Sequence, residues 1–284
     1  MWKRKPYSKA YLGKAMYFDA HVHSAASPDS EADPMEIIAA LKSKGLGVTF
    51  TEHADFVTPI KGRDMTATDV PRPKWGVDFI CDFDMYPARY RHLRSDTALL
   101  GLEVGLTAAF LPLNTQVADN DYDFVLGSIH YVDGIDVYYD ASKVDAETFC
   151  RRYLTYSLEM VEISGFFDSF AHIDYVARYS ENISGHFYYY NYPKEFDALL
   201  KALADRELAL EINTSRLGCE SAIRQLIPIY KRFRALGGKH VTIGSDAHQL
   251  QGLGRYHDKA VDMAKIVELT PVYYKNRKPI ICGA

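Results

Sequence analysis

The sequence of 284 residues has few features of a secreted or membrane protein. Its cysteines (Cys81, Cys150, Cys219 and Cys282) are scattered without a C-x-x-C pair, which argues against a disulfide framework and against a thiolate metal site. No apolar run approaches the roughly 18 residues of a membrane span. The basic start lacks the apolar stretch of a signal peptide. We therefore expect a cytoplasmic protein that binds no membrane.

Positive and negative charges are nearly balanced, with 33 Lys and Arg residues and 37 Asp and Glu residues. The formal net charge is −4, which gives no reason to expect nucleic acid as the main partner. The chain is 48% hydrophobic and 25% charged, so a sizeable core is available. Without a repeat, a low-complexity segment or a flexible linker, one domain is favoured over two. We expect residues 1–15 to form an N-terminal extension and residues 16–284 to form the domain.

Seven apolar runs dominate the chain, and each ends in a residue of a metal-ligand type. Apolar runs of this length, placed between helical patterns, predict buried parallel strands. The seven stretches are Phe18–His23, Val48–His53, Leu99–Glu103, Val125–His130, Phe170–Asp174, Leu208–Asn213 and Val241–His248.

Helical patterns between these runs predict an α/β fold. Asp33 and Pro34 have the residue types that begin a helix. The weakly periodic segment from Asp55 to Asp84 predicts a functional loop or a lid. The alternation as a whole predicts a distorted TIM-like barrel of seven strands. Further helices are expected at Phe83–Leu93, Val144–Ile163, Phe196–Leu203, Ala222–Leu236 and Asp258–Leu269.

The polar residues at the strand ends predict a multi-metal site, because a parallel barrel gathers its strand carboxyl ends at one mouth. His21 and His23 point to the same face of their strand. Asp246 and His248 repeat this spacing on the last strand, which adjoins the first in a closed barrel. Glu103 ends an apolar strand, where a charge is costly without a cation. The other strand ends contribute His53, His130 and His172.

Each of these signals is weak when taken alone. A single H-x-H pattern arises by chance, a histidine at a strand end is as often a hydrogen-bonded core residue, and a buried glutamate can belong to a salt bridge. Their coincidence at one mouth favours metal ligation. The flanking residues Asp19, Glu52 and Asp174 are expected to orient imidazoles.

The ordered motifs resemble the polymerase-and-histidinol-phosphatase (PHP) superfamily over about residues 17–250. Segments around Asp121-Tyr-Asp-Phe, His130-Tyr-Val-Asp-Gly and Glu211-Ile-Asn are most similar to its histidinol-phosphatase branch. The motifs that carry the superfamily resemblance are His21-x-His23, Thr51-Glu-His53, Gly101-Leu-Glu103, Gly127-Ser-Ile-His130, Ala171-His172-Ile-Asp and Gly244-Ser-Asp246-x-His248.

The resemblance implies a distorted seven-stranded β/α barrel with two to three divalent ions, which this donor set allows to be zinc, manganese or iron. Ser30 and Glu31, which lie close to Asp29 in the sequence, are alternative oxygen ligands to it. The implied ligand sets are His21, His23, Glu103 and Asp246 for the first ion; Glu103, His130 and His172 for the second; and His53, His248 and Asp29 for the third.

The resemblance also implies an enzyme that hydrolyses a small phosphate monoester with metal-activated water. Histidinol phosphate, in histidine biosynthesis, is the expected substrate. Glu103 and Asp246 are the expected catalytic residues, with Asp246 or a metal-bound water protonating the leaving alkoxide. The alternatives are a phosphoesterase with another substrate, such as a nucleotide, and a non-catalytic metal-binding barrel. The oligomeric state stays open.

Contacts to the substrate are expected from side chains beyond the strand ends. Basic residues beyond the strand ends are candidates for binding phosphate; we favour Arg216, with Arg178 second and Lys61 and Arg63 as further candidates. For the imidazole and amine of the leaving group, acidic or aromatic side chains beyond the strand ends are expected. The candidates are Asp55, Phe56, Asp133, Asp136 and the run Phe187–Tyr190.

Overall fold

The computed structural model describes residues 16–56 and 85–283, and the core of this part is a mostly parallel sheet. The sheet order is β1-β2-β3-β4-β7-β8-β9-β10-β11, and β5 and β6 form a separate hairpin. The strands are β1 (Tyr17–Val22), β2 (Leu46–Asp55), β3 (Ala98–Gly105), β4 (Phe124–Ser128), β5 (Tyr131–Val132), β6 (Ile135–Asp136), β7 (Ser169–Phe170), β8 (Ala209–Asn213), β9 (His240–Gly244), β10 (Thr270–Lys275) and β11 (Lys278–Ile281).

Helices connect the strands. Asp33 caps the first helix by accepting hydrogen bonds from the backbone N–H groups of Met35 and Glu36. Within the described ranges, no helix is long and apolar enough to cross a membrane. The helices are α1 (Pro34–Ser43), α2 (Met85–Tyr90), α3 (Leu111–Ala118), α4 (Val137–Asp140), α5 (Ala146–Ile163), α6 (Glu181–His186), α7 (Pro193–Asp205), α8 (Glu220–Ala235) and α9 (His257–Ile266).

The predicted TIM-like architecture is confirmed. The seven predicted strands are β1, β2, β3, β4, β7, β8 and β9, all paired in parallel in chain order. The first and the seventh of these strands, β1 and β9, meet at the mouth, where the Asp246 N–H donates to the His21 carbonyl at 2.8 Å and the His23 N–H donates to the Ala247 carbonyl at 3.0 Å. The two ligand pairs on the first and last strands are therefore brought side by side.

Some predicted boundaries differ from those observed. Strand β7 is shorter than its apolar run, and α9 ends before the predicted Leu269. Strands β10 and β11 were not predicted, because Pro271 and the charged residues near the turn interrupt the alternation of apolar residues in the sequence. The proposed extension at 1–15, the segment 57–84 with its predicted loop, and the beginning of the helix expected from Phe83 lie outside the described residues.

The β10–β11 hairpin packs against the barrel strands. Tyr274 stacks on Phe124 with ring centroids 5.1 Å apart, within a buried apolar cluster that also includes Ala20, Leu126 and Ala209. Because this cluster joins strands β1, β4 and β8 to β10, it lies in the barrel interior. The hairpin therefore supplies part of the interior core.

A charged contact fastens the turn of this hairpin. Arg277 adopts a left-handed conformation, with φ of 61°, and its Nε donates to Asp168 Oδ2 at 2.6 Å. The same carboxylate oxygen accepts the Val125 N–H at 2.8 Å, at the beginning of β4. Asp168 is 11% exposed, so loss of its cationic partner would leave a nearly buried charge.

We expect Arg277→Ala to lower the free energy of unfolding by about 1–3 kcal/mol. The loss of one partner of a fully buried pair costs about 3–5 kcal/mol, and the 32% exposure of the Arg277 side chain reduces this through solvent screening. The matched control is Lys275→Ala, whose partner Asp96 is 95% exposed and for which we expect less than about 1 kcal/mol. Chemical denaturation measures both, and equal losses would contradict the role of Arg277.

Candidate metal centre

The nine side chains predicted as metal ligands lie together at the carboxyl end of the barrel strands. Eight of them lie at or just after the ends of these strands, and Asp29 lies in the loop that follows β1. Six are histidines arranged in three pairs, with Nε2 atoms 3.1, 3.2 and 3.4 Å apart: His21 with His23, His53 with His248, and His130 with His172.

These nitrogen–nitrogen distances suit shared metal ligation. The Nδ1 atoms of His21 and His130 face carboxylates at 2.7 and 2.9 Å. Each Nδ1 therefore carries the proton in the neutral ring, and Nε2 presents a lone pair to its neighbour. Two nitrogens bound to one zinc ion at about 2.0–2.1 Å in tetrahedral geometry would lie about 3.3 Å apart. The residues fit a divalent metal on this observation.

Glu103 lies between the histidine pairs and is 1% exposed. Its Oε2 atom is 3.3 Å from His21 Nε2 and 3.0 Å from His53 Nδ1. Its Oε1 atom is 2.7 Å from His172 Nε2 and 3.2 Å from His130 Nε2. The two oxygens face different histidines, which is the arrangement needed for a carboxylate that bridges two ions.

Two aspartates complete the predicted groups. Asp246 Oδ1 is 3.6 Å from His21 Nε2 and 3.5 Å from His23 Nε2. Asp29 Oδ2 is 3.4 Å from His53 Nε2 and 3.0 Å from His248 Nε2, and its side chain is 35% exposed. Asp29, rather than its neighbour Glu31, therefore faces the histidines. Sets of His, Asp and Glu atoms close enough to hold a metal include His21–His23–Asp246 and His21–Glu103–His172.

Glu211 orients His21 and was not singled out for this role from the sequence. Its Oε1 pairs with His21 Nδ1 at 2.7 Å, and its Oε2 accepts the His172 N–H at 2.7 Å. A side chain on Gly244 would lie 2.2 Å from His21 Cβ and 2.5 Å from Glu211 Oε1, so the contact requires glycine there. The feature of the sequence that could have indicated this role is a carboxylate within the apolar run of β8.

The three residues expected to orient imidazoles have different roles. Asp19 accepts the N–H groups of Ser245 and Gly254 at 2.7 and 2.8 Å, so it holds the backbone near Asp246. Glu52 acts through Ser27, whose hydroxyl is 2.6 Å from Glu52 Oε2 and 3.2 Å from His23 Nδ1. Asp174 binds an arginine and not an imidazole.

Asp55 orients imidazoles, which is the role expected of Asp19, Glu52 and Asp174. Its Oδ1 accepts a hydrogen bond from His130 Nδ1 at 2.9 Å, and its Oδ2 is 3.2 Å from His53 Nδ1. Because this carboxylate is occupied by imidazoles, it has less capacity for the leaving-group contact expected from the sequence. His53, Asp55 and His130 also form a set close enough to hold a metal.

The electrostatics show that the cluster favours positive charge. Burial opposes protonation of His130, but Asp55 and Glu103 outweigh it and raise its pKa to about 10. Burial likewise opposes protonation of His21, yet Glu211 and Glu103 hold its pKa well above the usual value. His23 differs, because burial and the neighbouring His248 lower its pKa to about 3. Without metals, protons on some imidazoles offset the carboxylate charge.

The two predicted phosphate-binding arginines lie in different environments. The Arg216 guanidinium donates to Asp174 at 2.9 Å, Ser184 at 3.0 Å and Gln225 at 2.9 Å, outside the histidine cluster. Arg178 donates to Asp246 Oδ2 at 2.6 Å. Its side chain is 8% exposed, and its Nε and Nη2 form no hydrogen bond with any described residue. Arg178 is therefore better placed to bind an anion at this site.

A histidine–carboxylate cluster at the carboxyl-end mouth of a barrel is the arrangement of a metal-dependent hydrolase. The PHP domain model matches residues 19–215 of the sequence, a range that includes seven of the nine predicted ligands and ends before Asp246 and His248. The match extends over more than half of the chain. The chain belongs to the PHP domain family, as the resemblance in its motifs predicted.

Similar proteins carry names from the histidinol-phosphatase branch. A probable histidinol-phosphatase from Clostridium acetobutylicum is 37% identical over 266 residues, which cover 92% of this chain and 98% of that protein. A histidinol-phosphatase from Lactococcus lactis is 31% identical, covering 81% and 83%.

Solved structures agree in fold. A crystal structure of the Lactococcus lactis histidinol phosphate phosphatase, complexed with zinc, L-histidinol and phosphate, matches with a TM-score of 0.73 and 27% identity, covering 93% of this chain and 99% of that chain. A putative histidinol phosphatase from Listeria monocytogenes matches with a TM-score of 0.63 and 18% identity, covering 85% and 98%. The second likeness concerns the fold alone.

We expect Glu103→Gln to reduce the bound metal by more than one ion per chain, because an amide cannot bridge two cations with two anionic oxygens. Elemental analysis of purified protein measures the metal content, and circular dichroism checks that the barrel still folds. Glu31→Gln is the matched control, since Glu31 is exposed beside Asp29, and it should keep the full metal content. Full metal occupancy in folded Glu103→Gln would contradict the bridging role.

Proposed function

We propose that this protein is a metal-dependent phosphatase that hydrolyses L-histidinol phosphate to L-histidinol and phosphate. The observation that carries the proposal is the set of three imidazole pairs around the two oxygens of Glu103. The 37% identity to a probable histidinol-phosphatase over nearly the whole chain supports the substrate. The cytoplasmic setting and the role in histidine biosynthesis stay predictions.

We assign the nine clustered residues as ligands of two to three divalent ions. His21, His23 and Asp246 would hold one ion, His130 and His172 a second, and Glu103 would contribute to both. His53, His248 and Asp29 serve a third. Zinc is favoured because it occupies the similar Lactococcus lactis structure, although this donor set also accepts manganese or iron. When bound, such ions lower the pKa of a coordinated water to about 7 and offset the negative charge of a phosphate.

Arg178 is the proposed phosphate-binding residue of the chain itself. Burial opposes its charge, but Asp246 and Asp174 raise its pKa above the ordinary value, so the guanidinium stays cationic. Its Nε and Nη2, which have no hydrogen-bond partner among the described residues, could donate to phosphate oxygens. Because its Nη1 is already held by Asp246, little side-chain freedom would be lost on binding.

The same contact weighs against Asp246 as the proton donor. Burial disfavours its ionised form, but His21 and Arg178 outweigh this and hold the pKa of Asp246 well below its usual range. An ionised carboxylate is a good ligand and a poor acid. We therefore propose that Asp246 binds metal and anchors Arg178, and that solvent water supplies the proton to the leaving alkoxide.

A substrate panel tests the proposal. At fixed metal, we expect kcat/KM for histidinol phosphate to exceed that for phosphoserine, a sugar phosphate and nucleoside monophosphates by at least about tenfold, or roughly 1.4 kcal/mol of transition-state discrimination. A higher value for a nucleotide would favour the alternative phosphoesterase reading. No turnover of any ester by fully metal-loaded protein would favour the non-catalytic barrel.

A comparison of the two arginines separates phosphate binding from structural support. Compared at equal metal content, because Arg178 also holds the Asp246 carboxylate, Arg178→Ala should lower kcat/KM by about 10- to 100-fold, since hydrogen bonds to charged groups contribute about 1.5–3 kcal/mol. Arg216→Ala should lower the unfolding midpoint, because it removes the partner of the nearly buried Asp174. Its folded fraction should keep kcat/KM within about threefold. The reverse pattern would support the original preference for Arg216.

A further inference from the structure

A row of four tyrosines leads away from the metal-centre histidines. The Tyr175 ring lies 4.9 Å from His130 and 4.8 Å from His172 between centroids. Tyr179 follows at 5.3 Å from Tyr175, and Tyr138 at 4.5 Å from Tyr179. Tyr139 is 4.6 Å from Tyr138. We call Tyr175, Tyr179, Tyr138 and Tyr139 the aromatic row.

The three outer members of the row are more exposed than Tyr175. Tyr175 is partly buried, whereas Tyr179, Tyr139 and Tyr138 are 40%, 44% and 51% exposed. Contiguous exposed aromatic surface is unusual unless it binds something. The row comes from the segments that follow β4 and β7, the two strands that position His130 and His172, so its inner end lies at the mouth of the metal centre.

The other candidates for a leaving-group contact are occupied. Phe56 and Phe187 are 1% and 0% exposed within the core. Asp136 caps α4 by accepting the N–H groups of Tyr138 and Tyr139, and Asp133 pairs with Arg152. The hydroxyl of Tyr189 donates to Asp197. Tyr190 stacks on Tyr188 and not on a member of the row.

We propose that the aromatic row is the binding subsite for the leaving group, and that it selects esters whose alcohol carries a flat or cationic group. The inference rests on the proposed phosphatase function, because phosphate at the metals and Arg178 would direct the alcohol outward. Arg178 fixes the inner end, with its Cζ 5.1 Å over the Tyr175 ring. Tyrosine faces stack on an imidazole and attract an imidazolium or ammonium group.

Tyr179 is the residue to change, because Tyr175 packs directly on two proposed ligands. With histidinol phosphate as substrate, Tyr179→Ala should raise KM about fivefold to tenfold and change kcat by less than about twofold. Tyr179→Phe removes only the hydroxyl, which interacts with Arg178, and keeps the ring; its KM should stay near the wild-type value if the ring makes the contact. Tyr190→Ala, which removes a tyrosine that is 70% exposed, is the matched control and should have no effect.

Three substrates separate this inference from the proposed function. With glycerol 3-phosphate, whose alcohol has neither ring nor charge, Tyr179→Ala should leave KM unchanged. An equal change of KM for glycerol 3-phosphate and histidinol phosphate, or no change for either, would overturn the subsite. If wild-type protein prefers phenyl phosphate or a nucleotide and Tyr179→Ala removes that preference, the histidinol-phosphate assignment fails and the subsite stands.

A binding measurement gives a readout independent of turnover. Calorimetry with metal-loaded protein and saturating inorganic phosphate should show L-histidinol binding about fivefold to tenfold more weakly to Tyr179→Ala than to wild type. Metal content is measured for each variant. Should Tyr179→Ala lose metal, Tyr138→Ala, which lies one ring further out, is compared instead. Unchanged L-histidinol affinity in a metal-loaded row variant would overturn the inference.

Discussion

The structure depends on the burial of one carboxylate, that of Glu103, among imidazole nitrogens. A carboxylate that is 1% exposed is tolerated only where cations or hydrogen-bond donors surround it. The barrel meets this requirement by ending β1, β4 and β7 with histidines that face the two oxygens of Glu103 separately. The position of Glu103 therefore links the strand order of the sheet to the chemistry of the site.

A second layer of contacts orients three of the six imidazoles. Glu211 holds His21, Asp55 holds His130, and the hydroxyl of Ser27 holds His23. These contacts place the free nitrogens in facing pairs before any ion arrives. The arrangement has an electrostatic consequence, because buried carboxylates without metals retain protons on neighbouring imidazoles. Metal binding must displace those protons, so affinity should depend on pH.

The sequence predicted the parts of the site that follow from local pattern. Apolar runs ending in His or Glu identified the barrel strands and the residues now found clustered, since parallel strands must share a mouth. The partners of those residues were harder to predict. Glu211, not Asp19, reaches His21 across 190 positions of sequence, and such pairings depend on register and barrel closure. Arg216 follows β8 as closely as expected, yet its guanidinium is used by Asp174, Ser184 and Gln225.

Asp246 connects the histidine cluster to Arg178 from an unusual backbone conformation. Its φ of 54° is unusual for a residue other than glycine, and such a conformation costs on the order of 1–3 kcal/mol unless surrounding contacts hold it. Its N–H donates to His21 across the closing edge, and Arg178 holds its carboxylate. One oxygen thus faces the histidines while the other holds the guanidinium. A phosphate that binds between them would meet positive charge on both sides without a rearrangement of the site, which is the preorganisation that phosphoryl transfer requires.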